Sequence, residues 1–196
     1  MRRPLALFAA LAALLCCAAL ATGQGKVVPT FQKDPKGDAP KAGLDIVRVA
    51  MARSSDGKLR AELTMSTAWD ADALRSDDGG PGTVCVRLFT RNDPASDPPD
   101  HLVCATPPAE GNALRGTVLR DRVNGLAKKV GRATVTRPTS RTIYLRFAQS
   151  AIGRPASLRF SGETVLHGSG CAEPVGCRDT APDAPGSVAL PLRAGR

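Results

Sequence analysis

Strict alternation of apolar and polar residues begins near position 46 and recurs in short bursts toward the end of the chain. Val47, Val49 and Met51 alternate with Ile46, Arg48 and Ala50, and Leu59, Ala61, Leu63 and Met65 alternate with Arg60, Glu62 and Thr64. Ser54-Ser55-Asp56-Gly57 lies between the two runs. Successive side chains of a strand point to opposite faces, so a period of two around an Asp-Gly turn predicts a hairpin of half-buried strands. The same reasoning predicts strands over 83–89, 101–106, 114–120, 132–137, 142–147 and 157–166, with a last one around 187–192. Gly116 marks a weak point or bulge in its strand. Positions 70–75 and 148–152 each predict a single helical turn, and no run sustains the i, i+3, i+4, i+7 stripe of a longer helix. About eight short strands at roughly ten-residue spacing predict an all-β fold, an antiparallel β-sandwich of Ig-like or jelly-roll-like kind. The body of that domain is expected over 44–168. An extended lead-in rich in Lys, Pro, Gly and Asp precedes it over 22–43, and a Pro- and Gly-rich tail follows over 169–196.

The first residues do not belong to this pattern. Arg2 and Arg3 precede an Ala- and Leu-rich run over 5–20, and Ala19-Leu20-Ala21 supplies small residues at a cleavage position. That layout predicts a secretory signal peptide over 1–21, cut after Ala21. The apolar run is short for a spanning helix, and neither Cys16 nor Cys17 follows the small residue that lipid attachment wants. No second apolar span follows, so the expected product is secreted or associated with the cell envelope.

Cleavage removes Cys16 and Cys17 and leaves Cys85, Cys104, Cys171 and Cys177. An even number of cysteines in an exported chain predicts disulfides, and four allow three pairings. Strand register ranks them. If 83–89 and 101–106 are arms of one hairpin, placing Cys85 opposite Cys104 also sets Val84 against Ala105 and Val86 against Val103. A slip of one residue would scramble those faces. Cys85–Cys104 and, by remainder, Cys171–Cys177 are therefore expected, the second pinning the tail. Half a zinc site is the competing use of the second pair, but beyond cysteine only His101 and His167 are present to complete it.

Charge then raises the question of partners. The net charge is +9, or +7 without Arg2 and Arg3, which favours anionic polymers and acidic surfaces. If the even positions of the strands point outward, Arg48, Arg60, Arg132 and Arg146 stand on strand exteriors with Tyr144, as candidate ligand-binding residues. Arg87 and Arg159 occupy equivalent odd positions of their own strands. Few other aromatics are available, and Trp69 reads as a core plug, so neither a sugar-stacking platform nor nucleic-acid binding is expected. No resident cofactor is expected. Calcium is the one ion the carboxylates suggest, with Asp34, Asp38 and Asp45 as candidate ligands; Asp70, Asp72, Asp77, Asp78, Asp179 and Asp183 also lie in loops or the tail. The competing reading is that Asp caps its own turns. There is no H-E-x-x-H, Walker loop, dinucleotide fingerprint or G-x-S-x-G elbow. His101 and His167 are the only histidines on which acid–base catalysis can rest.

Asp34-Pro35-Lys36-Gly37-Asp38-Ala39, Leu44-Asp45-Ile46-Val47-Arg48-Val49, Asp56-Gly57-Lys58-Leu59 and Thr67-Ala68-Trp69 together resemble the opening of secreted β-sandwich modules of actinobacterial proteins. These are similar to the ligand-binding sandwiches of carbohydrate-binding and DOMON-type domains. The resemblance implies a sandwich fold and carries over no site residue. It lacks the aromatic platform of the sugar-binders and any haem-ligand pattern. The expectation is a non-catalytic binding or cell-surface accessory module for an anionic polymer or a protein partner. The alternatives are an inhibitor presenting the proline-stiffened loop 90–100, and a hydrolase with an unrecognised site.

Overall fold

The computed structural model describes residues 29–39, 44–75, 80–95, 98–121, 126–168, 170–171 and 176–192. The expected signal peptide lies outside them, as do Asp77 and Asp78. Eleven strands are present among the described residues: β1 (Thr30–Lys33), β2 (Ile46–Arg53), β3 (Lys58–Met65), β4 (Thr83–Phe89), β5 (His101–Thr106), β6 (Arg115–Arg120), β7 (Lys128–Thr136), β8 (Thr142–Ala148), β9 (Ser157–Leu166), β10 (Cys177–Ala181) and β11 (Val188–Pro191). The two expected helical turns are 3-10 turns at Asp72–Leu74 and Gln149–Ile152. Among the described residues no helix is long and apolar enough to cross a membrane.

One hydrogen-bonded path runs β1-β2-β3-β8-β7-β6-β5-β4-β9-β10, with β11 also paired to β9. Every pair is antiparallel. The all-β antiparallel expectation stands, but the strands do not divide into the two hydrogen-bonded sheets of a sandwich, and there are eleven rather than about eight. Twist curls the sheet until its ends meet as a nearly closed barrel, which covers edges that a flat sheet would expose. Side chains and loops tie those ends. The Ile46 N–H on β2 donates to Asp179 Oδ2 on β10 at 2.7 Å, Thr164 Oγ1 on β9 donates to the Leu44 carbonyl at 2.9 Å, and Arg53 donates to the Leu192 carbonyl at 2.9 Å. The lead-in and the tail thus supply β1 and β10, which alternation did not predict, and β11, which falls within the expected last strand.

Inward positions fill the barrel. Met51, Leu59, Leu63, Met65, Leu88, Ile143, Leu145, Phe147 and Phe160 are almost wholly buried, each worth roughly 1.5–3 kcal/mol when taken from water. In β2 a bulge between Ile46 and Arg48 corrects the expected phase. Ile46 takes the inward place and Val47 is left half-buried, because the extra residue of a bulge shifts every side chain before it to the other face. Gly162 of β9 lets the walls approach: a Cβ there would lie 2.9 Å from Leu63 Cδ2 and 3.2 Å from Ile46 Cδ1. Trp69 is buried as expected, with the Arg137 guanidinium 4.3 Å over its ring.

Both expected disulfides are present. Cys85 faces Cys104 directly, with Val84 opposite Ala105, Val86 opposite Val103 and Leu88 opposite His101. A loop of that length contributes about 3 kcal/mol in a chain-entropy treatment. Cys171–Cys177 anchors the first residue of β10.

Candidate functional site

The strand register settles where the arginines point. Arg60 lies opposite Arg146 and Glu62 opposite Tyr144 across β3 and β8, while Thr134 of β7 lies opposite Arg146. On the other side, Ala50 of β2 faces Glu62, and Phe31 of β1 faces Ala50. Leu59, Ala61 and Leu63 fill the interior, so alternation places Arg48, Arg60, Arg132, Tyr144 and Arg146 together on one outer face. Arg48 ion-pairs with Glu62 and lies 4.8 Å over the ring of Phe31, itself 50% exposed. Arg60 lies 4.8 Å over the ring of Tyr144. Arg146 ion-pairs with Asp56, which also receives Lys58 at 3.7 Å. Arg60 and Arg132 have no carboxylate partner among the described residues. A guanidinium is a planar fork of donors suited to carboxylate, sulfate or phosphate, and contact with the Tyr144 ring restrains that of Arg60. Arg87 and Arg159 belong elsewhere on the barrel: Arg87 lies 3.7 Å from Glu163, and Arg159 donates to Ser187 Oγ at 2.8 Å.

The loop between β4 and β5 is organised by its last residue. Asp100 Oδ2 accepts the N–H groups of Thr90 and Arg91 at 2.8 Å and of Asn92 at 3.0 Å, and Oδ1 accepts from the Arg91 guanidinium at 3.2 Å. Burial alone would raise the Asp100 carboxyl, but the backbone donors Asn92, Arg91 and Thr90 outweigh it and hold the group below the usual range. Asn92 also donates to the Pro98 carbonyl at 2.9 Å, closing the loop on itself. Beside the loop, His101, Arg91, Arg120, Ile152 and Ser157 line a cleft of about 570 Å³. His101 is 7% exposed and its Nδ1 has no hydrogen-bond partner. Burial holds its pKa below the ordinary value; Asp100 opposes that shift, and Arg120 and Arg91 add to it. The two histidines are not brought together. Leu88 lies opposite both His101 and Phe160, which sets His167 about 20 Å further along β9.

The carboxylates divide into two kinds. Asp70 and Asp72 act locally, Asp70 accepting the N–H groups of Asp72 and Ala73 and Asp72 pairing with Arg75. Asp34, Asp38 and Asp45 are gathered instead at the seam of the barrel with Asp179. One carboxylate oxygen from each of Asp34, Asp38 and Asp179 lies within 4.8 Å of the others. Asp45 is 2% exposed; its Oδ2 accepts the Gly37 N–H at 3.0 Å, and its Oδ1 has no partner. Asp34 Oδ2 is likewise buried without a partner. Burial, and then the charges of Asp183, Asp38 and Asp179, push the Asp34 carboxyl up to about 7. Burial raises Asp179 to about 6 against the Ile46 N–H, with Asp38 and Asp45 adding to the rise. Asp38 is raised too, by burial and by contact with Asp45.

Spacing alone did not join Asp179 to Asp34 and Asp38, because closure of the barrel makes the connection. Its local signal is a charge at the inward phase of Cys177-x-Asp179-x-Ala181. Phe31 and Glu62, which shape the arginine face, carried no signal of their own. No protein-family model, curated protein or solved structure matches the chain.

Proposed function

We propose that the protein is a secreted, non-catalytic binding module whose outer arginine face docks an anionic partner, a cell-surface polymer bearing carboxylate or phosphate groups. The observation that carries this reading is the register of β2, β3, β8 and β7, which puts Arg48, Arg60, Arg132 and Arg146 on one face beside Tyr144. The net charge of +9 favours the same class of partner at long range. Export rests on the leader over 1–21 and agrees with the two disulfides.

Retention of the oxidised protein on insoluble cell-wall and polysaccharide preparations across a salt series tests it. Retention at low salt that fades as salt rises is expected, and reversing Arg60 and Arg146 to Glu should abolish it. No retention at low salt, or retention unchanged in the double variant, refutes the arginine face. One observation favours a second reading, a protein-binding inhibitor: Asp100 and Asn92 tie the two ends of the 90–100 loop, residues 90–92 and 98–100, to each other, which lowers the entropy cost of entering a protein cleft.

A further inference from the structure

The seam of the barrel carries an inference of a different kind. Four aspartates meet where the first and last strands come together, three from the segment between β1 and β2 and one from β10. Asp34 follows β1, Asp38 lies in the loop after it, Asp45 immediately precedes β2, and Asp179 projects inward from β10. The Asp45 carboxylate faces Asp38 and Asp179. It is buried, and one of its oxygens meets no donor. A second buried oxygen without a donor belongs to Asp34. Among the described residues no lysine or arginine ion-pairs with any of the four. A buried carboxylate oxygen without a donor or counter-charge is costly, and two of them beside the Asp38 and Asp179 carboxylates call for a cation to offset the cost.

We propose that Asp34, Asp38, Asp45 and Asp179 form a calcium site that fastens the lead-in segment to β10 and closes the barrel. Two oxygens on opposite sides of a calcium ion, each about 2.3–2.6 Å from it, stand roughly 5 Å apart, and the Asp34, Asp38 and Asp179 oxygens lie within 4.8 Å of one another. The donor set is all oxygen, which suits a hard cation and not zinc or copper. Magnesium, with bonds of about 2.0–2.1 Å and strict octahedral demands, fits a cluster of this spread less well. Asp183 stands close enough to Asp34 to act on its charge and adds to the negative field. The Asp179 carboxylate would hold the ion while keeping the Ile46 N–H, so ligand and seam hydrogen bond are one group.

The full oxidised protein, stripped with a calcium chelator, is titrated with calcium chloride by calorimetry and melted with and without the ion, with magnesium chloride as comparator. One calcium per chain and a raised melting temperature are expected, with magnesium bound more weakly. Asp38→Asn is the informative variant because Asp38 is exposed and its removal takes a repelling charge from the stripped protein. It should melt no lower than stripped wild type and lose about tenfold or more in calcium affinity. Absence of both heat and melting shift up to about 10 mM calcium, beyond the weak range of extracellular calcium modules, overturns the site. Equal affinity in wild type, Asp38→Asn and Asp34→Asn overturns it as well, as does equal affinity for magnesium. Polymer retention is read separately, through Arg60 and Arg146 on β3 and β8, neither of which belongs to the seam.

Discussion

Gly116 offers a sharp test of the barrel, because its strand neighbour leaves room for nothing larger. It faces Ala133 across the β6–β7 pair. A Cβ at Gly116 would lie 2.1 Å from the Ala133 carbonyl oxygen, 2.7 Å from its carbonyl carbon and 2.9 Å from Val135 Cγ2. The first two are backbone atoms and have no rotamer to escape into, so Gly116→Ala must push β6 and β7 apart. Overpacking costs about 1–3 kcal/mol and each stretched ladder hydrogen bond about 1 kcal/mol, giving roughly 2–5 kcal/mol in total. For a chain of this size that is a fall of about 5–15 °C in melting temperature. Gly162→Ala is the intermediate case, since its tight contacts would be the methyl ends of Leu63 and Ile46, which can turn aside, with Val49 Cβ at an ordinary 3.6 Å; about 0–2 kcal/mol is expected. Gly80→Ala meets nothing within 4 Å and should stay within about 0.5 kcal/mol of wild type. Thermal and urea melts of the oxidised proteins followed by circular dichroism rank the three. A Gly116→Ala protein that melts within about 1 °C of wild type, or no lower than Gly162→Ala, refutes the close β6–β7 approach and the register that imposes it.

Two further predictions concern the loop and the cleft beside it. Asp100→Asn weakens five hydrogen bonds to a carboxylate buried at 1% exposure, so a loss of about 2 kcal/mol is expected at pH 6. The folded pKa of Asp100 lies below its unfolded value, so its contribution is complete above about pH 4 and is lost as pH falls through the folded value. The gap between wild type and variant in urea melts should therefore narrow below about pH 4, and a gap that stays constant refutes the charged clamp. His101 is also held below its ordinary pKa, by burial; the folded state binds fewer protons, so stability from the neutral ring is complete above about pH 6.5 and is lost as pH falls. Wild type should accordingly lose stability relative to His101→Gln between about pH 7.5 and 5, and parallel pH profiles would refute this.

Local rules reached a long way into this fold. The hairpin β2–β3, the strands β4, β5 and β9, and both disulfides were legible, because alternation and a constant register sum depend only on residues near one another in sequence. The outward arginines followed from the same parity. What alternation did not show is how far a sheet curls before its ends meet. Twist accumulates over all the strands, each of which reads alike whether it sits in a sandwich or a barrel. The extra residue in β2 escaped for a related reason, since a bulge shifts phase without changing composition.

The strands that alternation does not show and the carboxylates that spacing does not gather have one physical cause. β1 is four residues long, Thr30–Lys33, with three of them exposed, and it makes a strand only by lying against β2. β10 carries Asp179 where an apolar residue would complete the alternation, so the run looks like a polar tail. Yet Asp179 faces inward because the seam there is not oily: it is lined by Asp34, Asp38 and Asp45 from the other end of the chain. A charge that spoils a strand pattern locally is thus the residue that joins the two ends of the barrel, through the Ile46 N–H and through the other carboxylates. Pattern and site are read on different length scales. Where a short run carries an inward carboxylate between two buried neighbours, as Cys177 and Ala181 flank Asp179, the misfit itself is the signal, and its partners are to be sought wherever the sheet closes.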